Sequence, residues 1–180
     1  GQAMRVIAGV HRSRPLATFR GDEIRPTADR VKESLFNILR NKVVGRRYLD
    51  LFAGTGGIGI EAISRGAAEV VFVDQRRESV ALVKKNLALL KEEAEVVLSD
   101  AIAYLRRAEP FDVIFIDPPY AGALGEAALR VIAENALLTE DGVAVFEHEE
   151  PFAGEIPGLR KTDERKYGRV YLSFFGREGV

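Results

Sequence analysis

Asp117-Pro118-Pro119-Tyr120 follows Phe111-Asp112-Val113-Ile114-Phe115-Ile116, an apolar, β-branched run that reads as a buried strand. The tetrapeptide therefore falls at the carboxyl end of a strand, where open α/β sheets keep their active sites. Two successive prolines fix φ twice and restrict the residue before each. The result is a stiff corner with a carboxylate on one side and a flat ring on the other. That pairing suits a planar group carrying an exocyclic amine. Tyr120 can stack on the ring, while an Asp117 oxygen and the Pro118 carbonyl accept hydrogen bonds from the NH2. Such an amine is a poor nucleophile because its lone pair is delocalised. Acceptors on both N–H groups favour the pyramidal form, whose lone pair is free to attack. The same residues also make an ordinary strand-ending turn, since Asp-Pro and Pro-Pro are common turn pairs.

A second constellation is the glycine loop Asp50-Leu51-Phe52-Ala53-Gly54-Thr55-Gly56-Gly57-Ile58-Gly59. Gly54, Gly56 and Gly59 spell G-x-G-x-x-G, and Asp74 lies twenty residues past Gly54 at the end of the next strand. By pattern this is a dinucleotide fingerprint. Asp50 opposes that reading, because a dinucleotide site aims backbone N–H groups at pyrophosphate and a carboxylate there repels it. A ligand carrying an ammonium and a sulfonium, as S-adenosylmethionine does, is instead attracted. Ser99-Asp100-Ala101 ends the third strand, where another acid can reach an adenine amine. Each acid also has a plain structural role available: Asp50 as a cap on the glycine turn, Asp74 as a strand end, Asp100 as a helix N-cap. Acids at four successive strand ends, with the glycine loop after the first, point together to function.

The elements that must position these residues alternate. Strands are expected at Tyr48–Phe52, Val70–Asp74, Glu95–Leu98, Asp112–Asp117 and Gly142–Glu147. Helices are expected around 58–65, 78–91, 101–107 and 123–135. This implies a mostly parallel sheet covered on both faces. Leu159–Lys166 and Arg169–Phe175 flank Tyr167-Gly168 as a closing antiparallel hairpin. The fold class is thus α/β and Rossmann-like, a class I methyltransferase arrangement with a seven-stranded sheet. Ahead of it, Met4–Ala8 and Leu16–Arg20 suggest a short β-hairpin around an Arg-rich turn. Thr27 then offers a cap for a helix bearing Val31, Leu35, Ile38 and Leu39. Residues 1–46 read as an extension and 47–180 as the catalytic domain, with Gly1-Gln2-Ala3 before Met4 a cloning remnant.

Composition narrows the partners. The 180 residues hold no cysteine, which excludes disulfides and thiolate zinc. His11 and His148 lack ligand-like spacing, so no metal is expected. No signal-peptide core is visible and no apolar run approaches a membrane span, which leads to a cytoplasmic expectation. The net charge of −1 hides an asymmetry: residues 1–47 carry eleven Lys/Arg against four acids, a balance of +7, leaving −8 for the rest. A basic arm on an acidic body suggests a polyanion partner. Scarce Cys, Met, Asn and Gln lean towards a thermophilic source.

The whole pattern resembles the methyltransferases of exocyclic amines, and most closely the bacterial small-subunit ribosomal RNA guanine-N2 methyltransferases, the RsmD family. The similarity runs through Arg5-Val6-Ile7-Ala8-Gly9 with Arg12 and Arg14, and through Arg25-Pro26-Thr27-Ala28-Asp29-Arg30-Val31-Lys32-Glu33 with Phe36-Asn37. It continues in Phe52 to Gly56, Glu61-Ala62, Ser64-Arg65-Gly66-Ala67, Val73-Asp74 and the proline corner. The Asp-Pro-Pro-Tyr motif alone is shared with DNA adenine and protein glutamine methyltransferases; the Arg-Pro-Thr segment narrows the choice. The resemblance implies transfer of a methyl from S-adenosylmethionine (AdoMet) to N2 of guanine 966 in the 16S rRNA of an assembling or assembled small subunit. It implies a catalytic corner of Asp117, Pro118, Pro119 and Tyr120, with the ring stacking on a flipped-out base. The cofactor would lie against Asp50, Phe52, Ala53, Gly54, Thr55, Gly56, Asp74, Gln75, Asp100 and Ala101. RNA would meet Arg5, Arg12, Arg14, Arg25, Thr27 and Arg30, although Arg25 and Arg30 can equally dock the extension on the acidic body. Since no basic residue follows the corner until Arg130, RNA affinity is expected mainly in the arm. The protein is expected to be a monomer. Competing readings are a DNA adenine-N6 methyltransferase, which would need a target-recognition segment, a protein glutamine methyltransferase, a non-catalytic RNA-binding assembly factor and an NAD-binding oxidoreductase.

Overall fold

The computed structural model describes residues 4–20, 26–119 and 123–179, with the backbone alone for Pro26 and Thr27. The extension contributes α1 (Pro26–Leu39). The alternation follows as β1 (Arg47–Leu51), α2 (Gly57–Ser64), β2 (Glu69–Asp74), α3 (Arg77–Leu89), β3 (Glu95–Leu98), α4 (Ala101–Leu105), β4 (Phe111–Ile116) and α5 (Ala123–Glu134). It closes with β5 (Leu138–His148), β6 (Leu159–Tyr167) and β7 (Val170–Arg177). Among the described residues the strands form one seven-stranded sheet in the order β3-β2-β1-β4-β5-β7-β6. Only β7 runs antiparallel to its two neighbours. Chain order reverses between β1 and β4, the crevice where such sheets bind ligands.

Strand residues alternate between two cores, as the period of two requires. Tyr48, Phe72, Val113, Phe115 and Val145 face α2, α3, α1 and the N-terminal arm. Leu49, Leu51, Val71, Val73, Ile114 and Ile116 face α4 and α5. The arm and α1 share the first core with the sheet: Met4, Val6, Leu16, Val31, Leu35 and Phe36 are all buried in it. No helix among the described residues is long and apolar enough to cross a membrane.

Four local expectations shift. The N-terminal hairpin reduces to one antiparallel bridge, Arg5 to Pro15: Val6, Ser13 and Leu16 still bond across the arm, but the Ile7, Ala8 and Ala17 N–H groups bond to side chains of α2 and α3. Helix α1 begins at Pro26, a residue preorganised for the first helical position, so Thr27 lies inside the first turn and not at the cap. The closing hairpin turns on Gly168-Arg169, one residue later than expected, with Gly168 at φ +61°. Strand β5 starts at Leu138, ahead of a register break opposite β4. Thr139-Glu140-Asp141-Gly142 looks like a turn by composition. Yet Thr139 Oγ1 donates to Asp112 Oδ1 at 2.8 Å, which ties the segment to β4.

Candidate active site

The glycine loop is built by carboxylates. Asp50, at the end of β1 and 3% exposed, accepts a hydrogen bond from the Gly59 N–H at 2.9 Å. Asp74, at the end of β2, accepts from Gly54 N–H at 3.0 Å and from Arg76 N–H at 2.9 Å. Asp100 accepts from Ala103 N–H at 2.9 Å and caps α4. The capping role available to each acid from the sequence is therefore real, and in each case it leaves lone pairs for a ligand. Gly54 and Gly56 stand at φ +57° and +82°, where other residues are strained. A side chain on Gly54 would meet nothing within 4 Å, so space stands open above it. Gly59 has another purpose: a Cβ there would fall 2.3 Å from the Phe72 ring, so this glycine lets α2 pack on β2. Phe52 itself holds a left-handed φ of 62° as the chain leaves β1.

A cavity of ≈ 400 Å³ opens over this loop. Its floor is Asp50 with Phe52, Ala53, Gly54 and Thr55; its far wall is Phe115, Asp117, Glu147 and Glu149. Met4, Phe19, Ala28, Asp29 and Lys32 from the arm and α1 form the remaining side. The extension is thus part of the cavity wall, which charge asymmetry alone did not suggest. A second cavity of ≈ 200 Å³ is lined by Pro118, Pro119, Phe146 and His148, and shares Asp117, Glu147 and Glu149 with the first. Asp74, Gln75, Asp100 and Ala101 do not line either cavity; they lie at the ends of β2 and β3, beyond the glycine loop. Tyr120 and Arg25 fall outside the described residues, as does the Thr27 side chain.

The electrostatics suit a cation and disfavour pyrophosphate. Asp50 already occupies an amide at the start of α2 that a phosphate would need. Burial, opposed by the Gly59 hydrogen bond and reinforced by the Asp74 charge, pushes the Asp50 carboxyl up to about 7. Asp117 is likewise pushed up, first by the surrounding protein and then by the charges of Asp50 and Glu149. The residue as a whole is nonetheless exposed, and water at its surface tempers the effect. Glu147 is pushed up by burial, then by Asp117 and Glu149. A ligand bringing a sulfonium and an ammonium relieves this crowding. The Gly54 opening and the acidic lining both fit AdoMet.

The arm is docked by groups that the sequence reading did not single out for the purpose. The fully buried Glu61 carboxylate on α2 accepts from Ile7 N–H at 2.9 Å, Ala8 N–H at 3.0 Å and Arg65 Nε at 2.8 Å. Lys32 Nζ sits 3.5 Å from it and donates to the Arg5 carbonyl at 3.1 Å. Burial outweighs these partners and lowers the Lys32 pKa. Asn86 on α3 matches the Ala17 peptide at both ends, accepting from its N–H at 2.7 Å and donating to its carbonyl at 3.0 Å. A lone Glu or Asn inside an apolar helical stripe was the available signal. The described arginines of the arm contribute little to this docking. Arg5, Arg12, Arg14 and Arg30 are exposed, and only Arg14 makes a side-chain bond among the described residues, to the Leu89 carbonyl at 3.0 Å.

The family described as Conserved hypothetical protein 95 matches residues 4–176. The Bacillus subtilis protein YlbH is 40% identical over 98% of this chain and its own full length. The Haemophilus influenzae ribosomal RNA small subunit methyltransferase D is 39% identical over 81% of this chain and 79% of its own. Among solved structures, Escherichia coli yhhF superimposes with a TM-score of 0.88 at 34% identity, over 99% of this chain and 100% of that one. The Thermus thermophilus 16S rRNA N2 G1207 methyltransferase RsmC, solved with AdoMet and guanosine, matches with a TM-score of 0.69 at 25% identity, over 89% of this chain and 45% of that one.

Proposed function

Because the chain belongs to the Conserved hypothetical protein 95 family, that of the small-subunit ribosomal RNA methyltransferases D, and is an AdoMet-dependent rRNA methyltransferase, we propose that it methylates the exocyclic N2 of guanine 966 in 16S rRNA. The observation that carries this reading is the junction of the two cavities. The larger holds the glycine loop, the smaller holds the proline corner, and they meet at Asp117. A base entering the smaller cavity brings its amine to Asp117 and the Pro118 carbonyl, facing the methyl donor.

The roles follow from position. Asp50 attracts the ammonium of AdoMet, and Gly54 and Gly56 let its body lie against the loop. Phe52, Ala53 and Thr55 flank it. Asp74 and Gln75 meet the ribose, and Asp100 and Ala101 meet the adenine. The group supplies an activated methyl, so the protein's task is to hold the amine in line and accept its hydrogen bonds. The methyl would pass from sulfur to N2 as the carbon–sulfur bond breaks, and the proton released from N2 would leave through the Asp117 carboxylate that accepts its hydrogen bond and on to solvent. Tyr120 stacks on the extruded base. Arg5, Arg12, Arg14, Arg25 and Arg30, with Thr27, contact phosphates from an arm whose backbone is fixed by Glu61 and Asn86. Residues 47–180 carry the chemistry and residues 1–46 complete the cavity wall. The substrate is the small subunit or its assembly intermediate, in the cytoplasm, met by a monomer.

Methyl transfer from labelled AdoMet to small subunits, naked rRNA and duplex DNA, followed by nucleoside identification, tests the proposal. The expected product is N2-methylguanosine at one position of the small-subunit RNA, formed more slowly as salt rises. N6-methyladenosine in the DNA arm would overturn it.

A further inference from the structure

The proline corner explains why an amine is held but not why the amine belongs to guanine. Adenine, cytosine and guanine all present an exocyclic NH2 that Asp117 and the Pro118 carbonyl could accept. A discriminating group must read the ring atom beside the amine. Guanine has a donor there, N1–H; adenine and cytosine have bare acceptors.

Glu147 stands where such a group is needed. Parallel pairing sets Ile116 of β4 beside Phe146 of β5, so Asp117 and Glu147 are the next residues on adjacent strands. Both line the cofactor cavity and the smaller cavity, so both face the point where methyl donor and base meet. Among the described residues neither carboxylate accepts a hydrogen bond, whereas Asp50, Asp74, Asp100 and Glu61 all do. The strand on either side of Glu147 is nonetheless held firmly. The preceding Phe146 ring stacks on His148 at 4.6 Å. His148 is pinned in turn, with Nδ1 2.6 Å from the Glu150 carbonyl and Nε2 2.7 Å from Ser173 Oγ. A half-buried acid on a well-held strand, with no donor among the described residues, is arranged to receive donors from a ligand.

We propose that Glu147 determines specificity for guanine by accepting the N1–H of the target base, while Asp117 and the Pro118 carbonyl hold its N2 amine. This inference rests on the guanine reading given above. Two adjacent carboxylates match two adjacent donors on the guanine edge. Toward adenine or cytosine, the Glu147 carboxylate opposes a ring-nitrogen lone pair, so those bases meet repulsion as well as a missing bond. Burial first, and then neighbouring acids, drive both carboxyls towards protonation in the free protein, and a donor-rich edge relieves this. The smaller cavity needs no further polar group for this discrimination.

The test uses small subunits reconstituted from rRNA with guanine or 2-aminopurine at the target position. 2-Aminopurine keeps the N2 amine but presents N1 as an acceptor. With the wild-type protein, replacing guanine by 2-aminopurine is expected to lower kcat/KM by roughly tenfold to a hundredfold, the worth of a hydrogen bond to a charged group. Glu147→Gln should lose a similar factor on guanine and recover on 2-aminopurine, because its carboxamide can donate to N1. A melting temperature near that of the wild type establishes that the variant's fold is intact. Glu147→Ala, read by the same ratio, gives a flattened preference and serves if the Gln variant does not fold. An equal guanine to 2-aminopurine ratio in wild type and variant overturns the inference. If the wild type makes no N2-methylguanosine even in unmodified subunits, the guanine reading itself has failed, and this inference falls with it.

Discussion

The carboxylates on the two sides of the cleft live in opposite circumstances. On the cofactor side, Asp50, Asp74 and Asp100 each hold one or two backbone N–H groups, and in doing so shape the glycine loop and the helix that follows β3. On the base side, Asp117, Glu147 and Glu149 hold none among the described residues and press their charges on one another. The first set is scaffold, and in the proposed function ligand site as well. The second is left unsatisfied by the fold, at a cost in stability, and is available to whatever enters. Strained or repelling groups of this kind concentrate where binding relieves them.

The sharpest way to break this contrast is Asp117→Ala. Methyl transfer should fall by on the order of 10²–10³, the effect of deleting one preorganised group from a reacting centre. The melting temperature should hold or rise, because no described donor loses its partner and like-charge repulsion is removed. AdoMet affinity should stay within a few fold. A marked fall in melting temperature would move Asp117 into the scaffold class.

Asp74→Ala should behave in reverse. Gly54 and Arg76 N–H groups lose their acceptor, so the protein should melt earlier. AdoMet affinity, measured by calorimetry, should fall by roughly tenfold to a hundredfold as charged hydrogen bonds to the ribose disappear. Unchanged affinity would remove Asp74 from the cofactor site and leave it as a strut.

The effect that depends most on pH concerns Asp50, which belongs to both classes: it is bonded, yet pushed up to about 7 from an ordinary 3.8. A carboxyl raised in the folded state contributes stability that is fully present below the unfolded value and is lost as pH rises through about 7. Asp50→Asn keeps an acceptor for Gly59 but cannot ionise. Its stability relative to wild type should therefore increase between about pH 4 and pH 7, by at most about 4 kcal/mol. Over the same range wild-type AdoMet affinity should rise with pH, because only the ionised carboxylate attracts the ammonium. Parallel denaturation curves for the two proteins across that range would place Asp50 outside the titrating group.

The sequence exposed positions better than partners. Apolar, β-branched runs located β1 to β4 to within a residue; β1, β2 and β4 are buried along most of their length, and even half-exposed β3 at the sheet edge was legible from Val96-Val97. It missed the start of β5, where Thr139 and Asp141 mimic a turn while Asp112 recruits them. It placed acids correctly at the ends of four strands, yet could not tell which of them would meet a backbone amide. That depends on how tightly α2 approaches β2, a distance set by Gly59 against Phe72. Glu147 was not singled out at all, since a glutamate closing a strand looks like any solvated end. The arm's arginines were legible as charge. Its real attachment points, Glu61 and Asn86, were single polar residues in apolar stripes whose partners lie far away in the chain.

That separation has a consequence for how the protein is born. Ile7 and Ala8 are held by a residue 53 or 54 positions downstream, and Ala17 by one 69 positions downstream. The arm leaves the exit tunnel ahead of α2 and α3 and finds its seat only after α3 has emerged. Until then its arginines ride ahead of an unfinished sheet, uncommitted, beside the polyanionic surface of the particle that is making them.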